Sequence, residues 1–374
     1  MIVIADDITG AAEIAGIAFS CGESVRLVCG CPVCGCGTDT NETVVIATDT
    51  RSISEAEAVT TIKHMVLPLY MEGDGGRFLF KKTDSALRGH VVAELSALME
   101  ATGYKRAVYL PANPSKGRVI RNGIYYINNV PIHETAFSYD PEFPAKTSVL
   151  KERFPDAEAK GIIMPDAESE EDIRRIIAEY DDGKTLFAGA ADLFTALDHG
   201  DGSLDSSSSS DCDQENRPHD PSTLILCGST QSKPLDLGIP IAPMPREVYD
   251  GQEDANYWFT HLPSSFIHHP SSVILTIPFT HRTGKEVAVH LRTVMAEMAK
   301  RLITTHYLPL RGRLSLIIEG GATAWATFQA LDWTDFTITA QFAPGVVQMK
   351  SVTTGTLVTL KPGSYPWGNL FSAG

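Results

Sequence analysis

The first 22 residues constrain the fold most, because they have the pattern of a buried strand followed by a turn and a helix. The run Ile2–Ala5 is continuously apolar, as in a strand of a parallel sheet that is covered on both faces. Asp6 and Asp7 follow, and Thr9 is expected to cap the next helix. Since open α/β sheets bind ligands outside the carboxyl ends of their strands, the two aspartates lie where chemistry is expected. The plain alternative is that one of them only caps the helix.

Length and charge limit the classes of protein to consider. The 374 residues suffice for two domains, and the net charge of −15 argues against nucleic acid or an anionic membrane as the main partner. A local group of cations can still bind an anionic small molecule. No apolar run reaches the roughly 18 residues of a membrane span, and Met1 leads straight into the first strand. We therefore expect a cytoplasmic protein without a signal peptide, and we leave a homo-oligomer open.

The seven cysteines are odd in number and unevenly spread, which favours a reducing compartment over a disulfide framework. Four of them, Cys29, Cys31, Cys34 and Cys36, lie within eight residues. A zinc loop is one interpretation of this cluster. Structural zinc sites usually have two separated pairs of ligands, however, and no second pair follows here. The competing interpretation, a turn formed by glycine and proline, is favoured, and no metal ligand is assigned.

Short apolar runs alternate with helical patterns along the chain, which predicts parallel strands joined by helices. A small hairpin is expected around Ile124–Ile132. The segment 199–221 is rich in Ser and Asp and nearly free of apolar residues, so it is predicted to be a flexible linker or loop. The fold class expected is α/β with two domains, 1–198 and 222–374, each an open and largely parallel sheet with flanking helices.

Polar residues also follow two further predicted strands of the first half. Arg51 follows the third strand, where it could clasp a carboxylate or form a surface ion pair. Next to the fourth strand, Lys82 and Arg88 could hold an anionic substrate and Asp84 could act as a base. The competing interpretation is an Asp84–Arg88 pair that satisfies itself, with Ser85 as a helix cap. Position alone does not decide between these readings.

In the second half, a predicted strand at Leu314–Ile318 enters the turn Glu319–Thr323. Small residues at such a turn allow backbone N–H groups to approach a phosphate, and the helix N-terminus favours its charge. This signal is weak by itself. Neither a Walker A motif nor a GxGxxG motif occurs at a strand-to-helix junction, which argues against the dinucleotide-dependent dehydrogenase that the fold class would otherwise allow.

Several short motifs, in this order and spacing, resemble those of the four-carbon acid sugar kinases, which include threonate, erythronate and 3-oxo-tetronate kinases. They are ADDITG at Ala5–Gly10, KTDSALRG at Lys82–Gly89, the PSKGRVIRNG–VPIHET–DP run at Pro114–Pro141, GST near the middle, EGGAT at Glu319–Thr323, APG at Ala343–Gly345 and the turn Lys361–Gly363. The resemblance implies an acid-sugar-binding N-terminal domain and a nucleotide-binding C-terminal domain. It also implies ATP with Mg²⁺ and phosphorylation of a terminal hydroxyl.

The resemblance implies roles for individual residues as well. The residues expected in catalysis are Asp7, Asp84 and Arg88: either Asp7 or Asp84 would orient or deprotonate the attacking hydroxyl, and Arg51, Lys82 or Arg88 would hold the substrate carboxylate. Those implied in binding the acid sugar are Asp6, Arg51, Lys82 and Ser85. Those that match nucleotide-binding motifs are Ser229, Gly320, Gly321, Thr323, Gly345 and Gly363, and Ala322 is added because it lies in the same turn.

The chain departs from the pattern of these kinases at three places. Ala322 stands where an acidic residue is common, Ala86 stands where threonine is usual, and KPGSYP at Lys361–Pro366 replaces KSGNFG. Most of the differences fall on the nucleotide side. They motivate an alternative from another functional class, a sugar-acid-binding regulatory protein with weak or no kinase activity.

Overall fold

A computed structural model describes residues 1–30, 42–71, 78–140, 142–198, 223–228, 237–263, 272–307 and 314–363, together with 365, 367, 370 and 371. The chain forms two compact units. The first comprises Met1–Ile14 and Gly30–Ser206, and the second comprises Ala15–Cys29 and Ser207–Gly374. The sequence did not predict that Ala15–Cys29 belongs with the second unit. The predicted linker 199–221 and three of the clustered cysteines lie outside the described residues.

The described strands are, in chain order, β1 (Ile2–Ala5), β2 (Ser24–Cys29), β3 (Glu42–Ala47), β4 (Leu79–Lys82), β5 (Arg106–Leu110), β6 (Arg118–Arg121), β7 (Ile124–Ile127), β8 (Val130–Pro131), β9 (Ile162–Ile163), β10 (Thr185–Gly189), β11 (Thr223–Cys227), β12 (Ile241–Pro243), β13 (Val273–Thr276), β14 (Ser315–Glu319), β15 (Asp335–Ala343), β16 (Val346–Ser351) and β17 (Leu357–Lys361). The described α-helices are α1 (Ile8–Ser20), α2 (Glu55–Met71), α3 (Val91–Thr102), α4 (Leu150–Arg153), α5 (Glu170–Tyr180), α6 (Ala191–Asp198), α7 (Arg246–Tyr249), α8 (Ala255–Thr260), α9 (Lys285–Leu302) and α10 (Gly321–Leu331).

The sheet of the first unit is parallel throughout its described strands, in the order β3-β1-β4-β10-β5-β9. The centre is strongly apolar: Ile4, Phe80, Tyr109 and Phe187, from four different strands, are fully buried. This explains why continuous apolar runs, rather than alternating ones, marked these strands in the sequence. The parallel arrangement places the residues that follow β3, β1 and β4 at one edge.

A small antiparallel sheet, β6-β7-β8, follows β5. The predicted hairpin is confirmed, and its turn residues Asn128 and Asn129 have φ angles of 51° and 64°. Two consecutive left-handed residues are what a type I′ turn requires, and asparagine tolerates them well. The chain then forms the 3₁₀ turns Ile132–Glu134 and Ala136–Tyr139.

The sheet of the second unit is mixed, in the order β12-β13-β11-β14-β17-β16-β15-β2. Pairing is parallel from β12 to β17 and antiparallel from β17 to β2. The α/β class with mostly parallel sheets is confirmed, whereas the antiparallel strands β15 and β16 were not predicted. Thr337 and Thr339 point outward between buried neighbours in β15, which is the alternation of a strand with one exposed face.

We expect Phe187→Ala to destabilise the first unit by about 3–5 kcal/mol, because the side chain is fully buried and its ring stacks on Phe78 with centroids 6.3 Å apart. Val130→Ala, at an exposed site of the same unit, should cost less than about 1 kcal/mol. Urea unfolding followed by circular dichroism measures both. Equal shifts of the two midpoints would contradict this account of the core.

Candidate active site

One arginine joins three aspartates at the carboxyl edge of the first sheet. Arg51 Nε lies 2.9 Å from Asp6 Oδ2, and Arg51 Nη2 lies 3.0 Å from Asp6 Oδ1. The same Nη2 is 3.1 Å from Asp7 Oδ1 and 3.8 Å from Asp84 Oδ1. Burial alone would lower the pKa of Arg51, but the three carboxylates raise it well above its ordinary value. Of the two readings of Arg51, the structure shows the ion pair, in a buried rather than a surface setting.

Asp84 is bound on both sides of its carboxylate. Arg88 donates from Nε to Oδ2 at 2.8 Å and from Nη2 to Oδ1 at 3.0 Å, and the N–H of Ala86 donates to Oδ2 at 3.0 Å. Burial would raise the pKa of Asp84, yet Arg51 and Arg88 hold it far below its ordinary value. The self-satisfied Asp84–Arg88 pair is therefore present. Ser85 does not cap a helix, since its Oγ accepts a hydrogen bond from Arg118.

Asp7, rather than Thr9, caps α1. The helix begins at Ile8, Asp7 Oδ1 accepts the N–H of Gly10 at 3.0 Å, and the Thr9 hydroxyl donates to Asp7 Oδ2. The predicted cap at Thr9 is wrong because that residue already lies inside the first turn. The plain alternative for the aspartates is correct for Asp7, which nonetheless also takes part in the ion-pair network.

The three aspartates have different environments. The Asp7 side chain is 19% exposed, against 5% for Asp6 and 10% for Asp84. Burial raises the pKa of Asp6 despite its pairing with Arg51. For Asp7 the raising effect of burial is outweighed by Arg51, the Thr9 hydroxyl and Lys82, so its pKa is lowered. Asp7 is thus the ionised carboxylate of this cluster that a ligand reaches most easily.

A second group of charges surrounds Glu13. Lys82 Nζ lies 3.2 Å from Glu13 Oε2, and Lys116 pairs with the other carboxylate oxygen. Lys82 is the last residue of β4, so this cation belongs to the strand itself rather than to the turn that follows it. Burial would raise the pKa of Glu13, but the two lysines lower it to about 2.

Sequence reasoning missed several residues of the site. Glu13 had a signal, because it is the only charged residue of α1. Asp140, whose Oδ2 lies 3.5 Å from Arg88 Nη1, had a signal in the DP motif. Arg118 lies in the PSKGRVIRNG motif, which did not indicate its role. The guanidinium carbons of Arg88 and Arg118 lie 5.8 and 5.9 Å from the centre of the same ring, that of Phe137. The 3₁₀ turn that carries this ring belongs to the segment after β8, which position in the sequence did not connect to β4.

In the second unit, the turn after β14 has the geometry of an anion site. Gly320, with φ 101°, precedes the 11-residue helix α10, for which the described residues show no side-chain cap. Its first turn leaves the N–H groups of Gly321, Ala322 and Thr323 outside the helical hydrogen bonds. Ala322 is exposed. The donors and the helix dipole fit a phosphate group, such as that of ATP.

The residues packed around this turn fix its shape. A Cβ on Gly228 would lie 1.9 Å from Thr323 Oγ1, so only glycine fits there. Lys361 Nζ is buried and bound to Glu319, and it also donates to the Gly363 carbonyl oxygen at 3.3 Å. Gly345 has φ 78°, and a Cβ there would lie 2.8 Å from the Tyr365 ring. Ser229 lies outside the described residues.

Comparison with known proteins shows what this arrangement resembles. Residues 1–156 match the model of a sugar-binding N-terminal domain. The match contains the whole Arg51 network and the Glu13 group. No helix among the described residues is long and apolar enough to cross a membrane.

The curated relatives of the chain are named as kinases. The chain is 30% identical to a D-threonate kinase of Salmonella typhimurium, in a match that spans about half the length of each (53%). It is 26% identical to a 3-oxo-tetronate kinase of Brucella melitensis over 97% of this chain and 92% of the relative. A solved Haemophilus influenzae protein of the DUF1537 family has a TM-score of 0.69 at 20% identity, over 99% of this chain and 98% of that one. The resemblance to four-carbon acid sugar kinases is confirmed, and the solved structure supports the fold.

The ion pairs of Glu13 with Lys82 and Lys116 should make the free energy of unfolding depend on pH. A carboxylate whose pKa falls from 4.5 to about 2 on folding stabilises the protein fully above pH 4.5, and the contribution is lost as the pH falls towards 2. The difference corresponds to about 3 kcal/mol. Glu13→Gln should therefore be less stable at pH 7 and show a shallower loss of stability between pH 5 and 3. Urea midpoints across this range measure it; parallel curves for both proteins would show that Glu13 is not the group responsible.

Proposed function

We propose that the protein is an ATP-dependent kinase that phosphorylates the terminal hydroxyl of a four-carbon sugar acid of the threonate, erythronate or 3-oxo-tetronate type. The observation that carries the proposal is the cluster of Asp6, Asp7 and Asp84 around Arg51, which lies inside a sugar-binding domain at the carboxyl edge of its sheet. The curated relatives, which are phosphotransferases with an alcohol group as acceptor, support the reaction class. A cytoplasmic location, with ATP and the acid as partners, is part of the proposal.

Asp7 is the residue that we assign to the attacking hydroxyl. It is the most exposed carboxylate of the cluster, and its lowered pKa keeps it ionised at neutral pH. It accepts a hydrogen bond from the hydroxyl, aligns the oxygen lone pair, and takes the proton as the new oxygen–phosphorus bond forms. Phosphoryl transfer needs this kind of positioning more than it needs a strong base.

The other residues of the cluster act on geometry and charge. Asp84 holds Arg88 and contributes to the field that fixes Arg51, so its role in catalysis is to keep both cations in place. Arg88, whose side chain is 31% exposed, neutralises charge that develops during the transfer. Asp6 orients Arg51, and Lys82 adds positive charge beneath Asp7. Ser85 offers its hydroxyl to the sugar.

On the nucleotide side, we assign the N–H groups of Gly321, Ala322 and Thr323 to the phosphates. Gly320, Gly345 and Gly363 shape the backbone around them, and Ser229 is proposed from its motif alone. ATP supplies the phosphoryl group when bound, with Mg²⁺ neutralising its charge. The chain's own part is to present fixed donors to the phosphates and to keep the Lys361 amine engaged by Glu319.

The position of Lys361 favours the alternative function, a sugar-acid-binding regulatory protein. The Lys361 ammonium group is buried against Glu319 and lies 4.7 Å from the centre of the Trp367 ring, so it is not directed at a ligand by these contacts. Together with Ala322, this leaves backbone donors as the main phosphate contacts.

The experiment that separates these functions measures ADP release from Mg·ATP with threonate, erythronate and 3-oxo-tetronate isomers. Turnover with one member is the expected result, and it would also identify the substrate. If no member is turned over while calorimetry shows that a sugar acid binds, the regulatory function is correct and the kinase proposal is wrong.

Asp7→Asn should lower kcat by roughly 10²–10⁴-fold with little change in KM for the acid, because it removes the proton acceptor and keeps the shape. Asp182→Asn is a matched control at the opposite edge of the sheet, where Asp182 pairs with Arg106 before β10. Steady-state kinetics measure both variants. Full turnover by Asp7→Asn would refute its assignment.

A further inference from the structure

The cations around the aspartate cluster differ in the charges that face them. Five of them are Arg51, Arg88, Lys82, Lys116 and Arg118, and the first four pair with carboxylates of the protein itself: Arg51 with Asp6, Asp7 and Asp84; Arg88 with Asp84 and Asp140; Lys82 with Glu13; and Lys116 with Glu13. Each of these four has therefore part or all of its charge neutralised before a substrate arrives.

Arg118 is the exception among these five. Arg153 also lacks a carboxylate partner among the described residues, but its Nε, Nη1 and Nη2 all donate to the carbonyl oxygens of Leu87 and Pro144. Its Nη1 donates to Ser85 Oγ, a neutral acceptor, and no described carboxylate oxygen lies within 4.0 Å of its guanidinium group. Among the described residues, its Nε and Nη2 have no hydrogen-bond partner. The residue is half-buried, and its guanidinium group lies beside the Phe137 ring. A partly desolvated cation without a counter-charge is costly, and an anionic ligand reduces that cost.

The backbone fixes the position of Arg118 next to the cluster. Asn113 and Arg118 exchange two backbone hydrogen bonds, of 2.7 and 3.1 Å, which tie the start of β6 to the end of β5. Tyr125 donates to the Ser85 carbonyl oxygen at 2.5 Å and to that of Pro111 at 3.1 Å, so the acceptor of Arg118 is also held in place. Ser85 adjoins Asp84 in the chain. The unneutralised guanidinium group is thus held against Ser85, the residue next to Asp84 of the aspartate cluster.

We propose that Arg118 binds the carboxylate of the acid substrate and is the residue that selects sugar acids over neutral polyols. The inference rests on the proposed function and deepens it. The planar edge formed by Nε and Nη2 matches the two oxygens of a carboxylate, which a lysine at this position would not do. The sequence offered Arg51, Lys82 and Arg88 as candidates to hold the carboxylate, and all three are already paired with carboxylates of the protein. The inference therefore assigns this role to a residue outside the predicted set.

The test compares the turned-over acid with its neutral carboxamide, which has the same shape without the charge. Arg118→Gln should weaken binding of the acid by roughly 10- to 100-fold and leave binding of the carboxamide within about twofold. Arg118→Lys, which keeps the charge and loses the fork, should fall between wild type and Arg118→Gln. Calorimetry measures the affinities, and competition against the acid measures the weaker ligand.

Arg121→Gln is the matched control, because Arg121 is on the same strand but exposed and paired with Glu168. It should leave both affinities unchanged. An equal loss for acid and carboxamide in Arg118→Gln would show that Arg118 only positions Ser85, and an unchanged affinity for the acid would also overturn the inference. If wild type binds no sugar acid, the proposed function fails, and that failure is visible before any variant is made.

Discussion

The site depends on the contact between Arg51 and the three aspartates. Three carboxylates this close together repel one another strongly where water is excluded, and the strand ends that carry them would separate without a shared counter-charge. The guanidinium fork meets Asp6 with two hydrogen bonds and reaches Asp7 and Asp84 from the same nitrogen. Loss of this one cation would leave several buried charges unpaired, which costs more than the pair itself contributes.

The same contact makes three identical side chains chemically different. Asp6 receives the fork and the deepest burial, so its pKa rises, whereas the pKa values of Asp7 and Asp84 fall. Asp84 accepts hydrogen bonds from Arg88 and from backbone N–H groups. Asp7 is therefore the carboxylate that is both ionised and accessible. The chemical differences among the three aspartates therefore come from their partners, above all Arg51, which follows a different strand from each of them.

The dependence of the site on these partners explains which parts of the fold and of the site the sequence predicts. Apolar runs identified the parallel strands, and the rule that ligands bind at their carboxyl ends located Asp7, Asp84 and Arg51 together. The sequence could not supply partners that are distant along the chain. The neutralisation of Lys82 by Glu13 and the proximity of Arg118 to Ser85 depend on how α1 and β6 pack, and β15 was missed because its alternation is that of a half-exposed strand.

We propose different kinds of anion-binding group for the two units. In the first, most charged side chains neutralise one another, and we assign the substrate carboxylate to Arg118, which this pairing leaves without a described carboxylate partner. In the second, the lysine is bound to Glu319, so the donors come from the backbone at the start of α10. Backbone donors do not depend on the side chain that carries them, and Ala322 presents the same N–H group as the acidic residue common at this position. A change of side chain in that turn therefore keeps the N–H groups that we propose for the phosphates, whereas a Cβ at Gly228 would collide with Thr323 and displace the turn that presents them.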